Sequence, residues 1–301
     1  MSFRVVLPTL DDSDAPQLEV LDGSSNVVQR QLRRGGVRSY ERPTVCALLT
    51  IFSMQRRGFV FYDIGANIGY YSTLCGLLFG PAAVVAFEPT PETADWARRI
   101  ADANGVARTT KVEQVAVGRE AGQGLLHLSD VSEASNSLVA GFKPSQSSVP
   151  VDIVTIDDHV AESGLVPDVV KIDAEGFEPE VLAGAERTLA EHRPILVVEV
   201  LYRFGHDYGP SIEAELRGIG YHRYRLVRHP QWREWPRLRG GRPPANPAPD
   251  REEEGSEHRD WMLTADPLSE EFVQRYEQWS EALRTCSARR NVGNPGRSSS
   301  R

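Results

Sequence analysis

Through the middle of the chain, short apolar runs alternate with stretches of helical periodicity, and this constrains the fold more than any other feature. Strands that each feed a helix cannot pair as hairpins. They return through crossovers, which gives an α/β fold with a mostly parallel sheet and helices on both faces. Phe59 to Ile64, Val84 to Phe87, Lys111 to Val117, Asp168 to Asp173 and Ile195 to Val200 read as buried strands. Thr90 and Pro91 open a helix that Asn104 and Gly105 stop, with the cap, the first-turn proline and the terminator all in place. Before the first strand, Val45, Leu48, Leu49 and Phe52 share one helical face until Gly58. Near the end, Tyr221 to Val227 and Trp261 to Thr264 read as an antiparallel pair closing one sheet edge. An amphipathic helix through Phe272, Val273, Tyr276, Trp279 and Leu283 follows.

Five segments result: an N-terminal extension with a helix (1–58), the α/β core (59–235), an insertion (236–260), a closing strand with the C-terminal helix (261–283) and a tail (284–301). The insertion carries five prolines, the acidic run Glu252 to Glu254 and no large aliphatic residue after Leu238. It cannot bury enough apolar surface to order itself and is expected to be mobile. The tail, with five arginines and no acid, reads as disordered.

Charge and cysteines narrow the function classes. With 34 basic against 42 acidic residues the net charge is -8, the wrong sign for a surface that tracks phosphates, so no nucleic-acid partner is expected. The three cysteines form no CxxC pair and no even-numbered framework, which points to a reducing, cytoplasmic setting. Residues 64–87 carry no charge, but Asn67, Gly65, Gly69, Gly76, Gly80 and Pro81 interrupt them, and no membrane partner is expected. The N-terminus lacks the basic and apolar regions of a signal peptide.

The sharpest motif is Asp63-Ile-Gly-Ala-Asn-Ile-Gly69, where a buried strand gives way to a helix. Glycines at 65 and 69 let the backbone approach a ligand, yet neither a Walker A loop nor a GxGxxG motif is present. Glu88 stands 19 positions after Gly69 at the tip of the second strand, where a carboxylate accepts hydrogen bonds from both hydroxyls of a ribose. A pyrophosphate would be repelled by Asp63, whereas an amino acid carrying ammonium and sulfonium charges would be attracted. S-adenosylmethionine fits, with its ribose at Glu88 and its methionyl part over Asp63, Gly65, Ala66, Asn67 and Gly69.

A second acidic cluster, Asp173, Glu175 and Glu178, follows a later strand tip, with Glu199 ending the next strand. Ligands bind outside the carboxyl ends of such strands, so Asp173 is expected in the same crevice. Glu178 and Glu180 read as acids decorating the first turn of a helix. His206 lies in a loop where a substrate could sit; His159 reads as solvated, and Asp157 to His159 as a polar strand end or helix cap.

The strings YDIGANIGYYS, AFEP, VVKIDAEGFEPEVLAGA and ILVVEV resemble the FkbM-type methyltransferases over about residues 40–230. The resemblance implies a class I methyltransferase fold, a seven-stranded Rossmann-like sheet. It also implies cofactor contacts from Asp63, Gly65, Asn67, Gly69 and Glu88, and methylation of hydroxyls on sugars and natural products. The expected partner is thus a small molecule with a hydroxyl. Asp173, also placed against the cofactor, is the first choice of base, with Glu175, Glu199 and His206 in reserve. A divalent cation on Asp173, Glu175 and Glu199 ranks second, because no histidine or spaced acidic motif of a metal site accompanies them. The competing classes are a nicotinamide-dependent oxidoreductase and a non-catalytic nucleoside-binding protein.

Overall fold

The structure is a computed structural model that describes residues 2–11, 14–21, 26–203, 206–227, 237–240 and 258–286. A hairpin of β1 (Ser2–Val6) and β2 (Gln17–Leu21) leads into helices α1 (Val27–Gly35) and α2 (Arg42–Met54). The alternation then runs β3 (Val60–Ile64), α3 (Tyr70–Phe79), β4 (Ala83–Phe87), α4 (Pro91–Ala103) and β5 (Thr110–Glu113). Strands β6 (Ala116–Val117), β7 (Gly122–Leu128) and β8 (Ser147–Val154) form a separate small sheet. The main sheet resumes through α5 (Ile156–Ser163), β9 (Val169–Ile172), α6 (Glu178–Ala183), α7 (Glu186–His192) and β10 (Ile195–Arg203). The C-terminal part holds β11 (His206–Asp207), α8 (Gly209–Glu215), β12 (His222–Val227), β13 (Arg237–Gly240), β14 (His258–Thr264) and α9 (Glu270–Thr285).

The main sheet runs in the order β5-β4-β3-β9-β10-β14-β12-β13. Strands β5, β4, β3, β9 and β10 are mutually parallel, while β14 lies antiparallel between β10 and β12. The chain reverses its direction of winding at β3, so the carboxyl ends of β3, β4, β9 and β10 open on one crevice.

The seven strands from β5 to β12 are the expected class I sheet, and β13 and β11 extend it. Strand β13 corrects the reading of 236–260 as one mobile insertion: Arg237 to Gly240 pair with β12, and β14 already begins at His258. Edge pairing recruits backbone N–H and C=O groups, so it needs no apolar pattern. Residues 241–257 and 287–301 lie outside the described residues. Helix α9 continues to Thr285, past the boundary drawn at 284. The strand read as Lys111 to Val117 is also two strands, broken after Glu113, with its second half in the small sheet.

Two apolar layers flank the sheet. On one face, α2 is buried along nearly its whole length among β3, α3 and α9; the Phe52 ring lies 4.8 Å from Phe61 and 5.6 Å from Phe59. Val5, Leu7, Leu18 and Val20 of the N-terminal hairpin are buried in that same cluster, so the extension is part of the body rather than an appendage. On the other face, Ile156, Val181, Leu182, Leu189 and Ile212 from α5 to α8 pack on β9 and β10. Among the described residues, no helix is long and apolar enough to cross a membrane.

Candidate active site

The crevice at the carboxyl edge is a cleft of about 780 Å³, within the range of small-molecule sites. Its floor is the loop between β3 and α3. Gly65 has φ +72°, and a Cβ there would sit 1.8 Å from the Asp173 carbonyl oxygen, so only glycine lets the loops after β3 and β9 touch. Gly69, at φ +70°, instead faces Ala97 of α4. Gly65, Ala66 and Asn67 line the cleft; Gly69 and Asp63 do not.

Asp63 is fully buried, and its Oδ2 accepts hydrogen bonds from the Ser72 backbone N–H (3.1 Å) and hydroxyl (2.6 Å). It therefore caps α3 from the preceding strand, where Gly69 has no side chain to do so. Burial pushes its carboxyl up, opposed by Lys171 and the Ser72 bonds. The sequence reading placed Asp63 against the methionyl group; the structure seals it beneath the loop that would carry that group.

Glu88 is 6% exposed, on the cleft wall. Its Oε2 accepts from the Asn67 N–H (2.9 Å), and its Oε1 from the Thr90 N–H (2.8 Å) and the Thr93 hydroxyl (2.9 Å). A carboxylate offers about four lone-pair sites, and three are taken, so one strong bond to a diol remains rather than the two that the sequence reading assigned. Burial raises its pKa, against the pull of those donors. Beside it, Phe87, Val115, Val117 and Leu126 form an apolar wall suited to a flat heterocycle.

The opposite end is crowded with charge. Asp173, with 19% of its side chain exposed, follows β9 and lines the cleft. The buried Lys171 ammonium lies 3.0 Å from its Oδ2 and 4.0 Å from Asp63 Oδ1. Glu199 lies inside β10 rather than at its end; burial first, then the charges of Asp173 and Glu175, hold its carboxyl well above the usual range. Oxygens of Asp173, Glu175 and Glu199 come within 4.8 Å of one another. Glu175 has φ +52° and Gly176 φ +95°, a left-handed turn fastened by Glu178, which accepts from the N–H groups of Ala174 and Gly176. Glu178 is thus not a surface decoration as expected: it is fully buried, and burial pushes its carboxyl up to about 7. Glu180, by contrast, pairs with Arg119 at the surface.

Residues without a motif complete this end. Glu41, just before α2, has φ +33°, accepts from the Tyr71 hydroxyl (2.7 Å) and is raised to about 7, chiefly by burial and then by Asp173. Asp260 of β14, opposite Glu199 in register, accepts from the Thr44 hydroxyl, and Arg225 of β12 lines the cleft. Sequence reasoning missed Glu41, Lys171, Arg225 and Asp260. Lys171 had a signal, a lysine inside the apolar strand Val169–Ile172; the others are brought in by packing alone.

The remaining expectations resolve locally. His206 falls in β11, and its side chain lies outside the described residues. Asp157 caps α7 by accepting from the N–H groups of Arg187 and Thr188. His159 is not solvated: its ring packs edge-on against Tyr62 and Phe87, and its Nδ1 is 2.7 Å from the Tyr62 hydroxyl. Burial lowers its pKa.

Comparison with known proteins gives similarity to hexuronic acid methyltransferase AglP of Haloferax volcanii, 33% identical over 142 residues, 46% of this chain and 54% of that protein. The chain thus spans about half the length of this relative. The 31-O-demethyl-FK506 methyltransferase FkbM of Streptomyces tacrolimicus is 29% identical over 202 residues, covering 55% of this chain and 74% of that one. Among solved structures, a methyltransferase FkbM from Methylobacillus flagellatus KT aligns with a TM-score of 0.39 and 20% identity, over 57% of this chain and 41% of the other. The methyltransferase FkbM domain matches residues 63–234, more than half of the chain and every cleft loop from the glycine turn to Arg225, so the chain belongs to the FkbM methyltransferase family.

Proposed function

We propose that this chain transfers a methyl group from S-adenosylmethionine to a hydroxyl of a sugar or secondary metabolite, with Asp173 as the base. The observation that carries this reading is that Asp173, held by Lys171, opens into the same cleft as the Gly65 to Asn67 turn and Glu88. The residues present fit the cofactor: a left-handed glycine turn, an apolar wall and a buried carboxylate with one lone pair to spare. A pyrophosphate fits less well, because the Asp63 carboxylate already occupies the first turn of α3, where a nicotinamide dinucleotide would need free N–H groups.

When bound, S-adenosylmethionine supplies an electrophilic methyl group on a sulfonium that leaves as a neutral thioether. The protein's part is to hold the acceptor oxygen in line and to take its proton. Asp173 is the carboxylate placed to do so: as the oxygen gains the methyl group it loses its proton to Asp173. The likeness to a hexuronic acid methyltransferase and to a demethyl-FK506 methyltransferase supports an oxygen acceptor of either chemistry. The test is calorimetric titration with S-adenosylmethionine, S-adenosylhomocysteine and NAD, followed by turnover on a panel of hydroxylated sugars and metabolites. Binding of the first two and not of NAD is expected. Binding of NAD alone would move the chain to the oxidoreductases, and cofactor binding with no turnover on any acceptor would leave a nucleoside-binding protein.

A further inference from the structure

One wall of the cleft is a loop of the small sheet. Residues 129–146 join β7 to β8, and a 3-10 turn within them, Glu133–Ser135, comes against α1 across the opening. Val131, Ala134 and Asn136 of this loop line the cleft, as do Val27, Val28 and Gln31 of α1. Asn26, the cap of α1, donates to Asn67, and Asn136 Nδ2 donates to Thr90 Oγ1 at 3.2 Å. Asn67 and Thr90 are the residues whose N–H groups hold the Glu88 carboxylate, so α1 and the loop meet as a roof beside it.

The two halves of this roof are held differently. Helix α1 sinks Val28 and Leu32 into the main apolar layer. The loop from Ser129 to Asn136 bonds to itself: Asn136 Oδ1 accepts from the Ser129 N–H (2.8 Å), Ser129 Oγ from the Val131 N–H (3.1 Å) and Ser132 Oγ from the Ala134 N–H (3.2 Å). Val131 is 68% exposed although it lines the cleft. On either side the chain is pinned. The Asp130 N–H donates to the Pro144 carbonyl at 3.0 Å, the Ser137 hydroxyl donates to the Glu175 carbonyl at 2.7 Å, and Phe142 is buried against Gly176. A short unit with local bonds, little buried apolar surface and fixed ends opens at low free-energy cost. We infer that residues 131–136 are a flap that opens between the pins at Asp130 and Ser137 to admit and release the cofactor, with the Asn136 bond to Thr90 as its latch. The inference rests on the reading of this cleft as the cofactor site. Flaps of this kind move in microseconds to milliseconds and can set the rate of product release.

The test has a ligand-free arm and a ligand arm, both on the full chain. Without ligand, 13C relaxation dispersion of methyl groups should show microsecond-to-millisecond exchange at Val131 and Ala134, and none at Val85 or Val170, which are buried in the sheet. With ligand, Asn136→Ala should speed both association and dissociation of S-adenosylhomocysteine by about three- to tenfold, the worth of one hydrogen bond. Kd should shift by less than about twofold, because the latch closes the flap over the empty and the filled cleft alike. A residue that only touches the bound cofactor changes dissociation alone. Faster dissociation with unchanged association therefore overturns the inference. So does a wild-type flap whose methyl groups show no exchange, an outcome that needs no variant to fold. A wild-type protein that does not bind S-adenosylhomocysteine removes the cofactor reading instead, and the methyl measurement still decides whether the flap opens.

Discussion

Glu88, buried, and Glu199, half-buried, are carboxyls in one cleft, and they are compensated in opposite ways. Around Glu88 the neighbours are fixed N–H and O–H donors, which lower the pKa that burial raises. Around Glu199 the neighbours are other carboxyls, and they push in the same direction as burial. Two like charges about 4 Å apart repel by roughly 4 kcal/mol at an effective dielectric of about 20, more than one hydrogen bond returns. The Glu88 end, where the cofactor is proposed to bind, is therefore held by fixed donors, whereas the Asp173 end, the proposed acceptor side, is crowded by like charges. One end should respond to mutation through affinity, the other through turnover and pH.

The largest expected effect is at the acceptor end. Asp173→Asn should bind S-adenosylhomocysteine as the wild type does and lose roughly 10²- to 10⁴-fold in turnover, the usual worth of general-base catalysis. Chelator should change little. Activity abolished by chelator and restored by magnesium would make Asp173, Glu175 and Glu199 a cation site, and the contrast between the two ends would become metal against dipoles.

Next in size is a pH effect on stability. Glu178, raised from about 4.5 to about 7, is more easily protonated in the folded chain. The stability it contributes is complete below its unfolded pKa and is lost as pH rises through about 7. Glu41, also raised to about 7, acts with the same sign. At full weight each is on the order of 3 kcal/mol. Chemical denaturation across this range should show stability falling as pH rises, and Glu178→Gln should flatten part of the slope. A slope that Glu178→Gln leaves untouched would mean its bonds to Ala174 and Gly176 outweigh its burial.

At the cofactor end, Glu88→Ala should weaken S-adenosylmethionine binding by about 1.5 to 3 kcal/mol. It also releases the Asn67 and Thr90 N–H groups, so a lower melting temperature should accompany the weaker binding. Titration and a melt on the same sample check both. Unchanged affinity in a folded variant would place the ribose elsewhere.

Legibility in the sequence divides along the same line. The parallel strands, the glycine turn and Glu88 could be read because each follows from local pattern: buried runs, left-handed glycines and a carboxylate at a strand tip. Gly65 has a reason the sequence does not show, since a side chain there would meet the Asp173 carbonyl oxygen. The acceptor end was half legible. Asp173 and Glu199 stand in or after apolar strands, but Glu41, Arg225 and Asp260 come from α2's start, β12 and β14, and nothing short of the packed fold brings them together. Strand β13 was invisible because Arg237 to Gly240 pair through backbone groups without apolar periodicity.

The smallest effect asks whether the cofactor end is self-contained. Asn26, 2% exposed, caps α1 by accepting from the N–H groups of Val28 and Gln29, and its Nδ2 donates to Asn67 Oδ1 at 2.9 Å. Asn67 in turn gives its own N–H to Glu88. One side chain thus ties the N-terminal extension to the turn that lines the cleft, and two substitutions separate its two jobs. Asn26→Ala removes both and should cost about 1 kcal/mol of stability, the worth of a lost cap. Asn26→Asp keeps an oxygen to cap α1 but sets an acceptor against Asn67 Oδ1. It should melt close to the wild type while losing about 0.5 to 1.5 kcal/mol of S-adenosylmethionine affinity. If Asn26→Asp binds as tightly as the wild type, the turn keeps its shape without the Asn26 bond, through Glu88 and the backbone bonds of Gly65 and Ala66 to the Phe87 carbonyl.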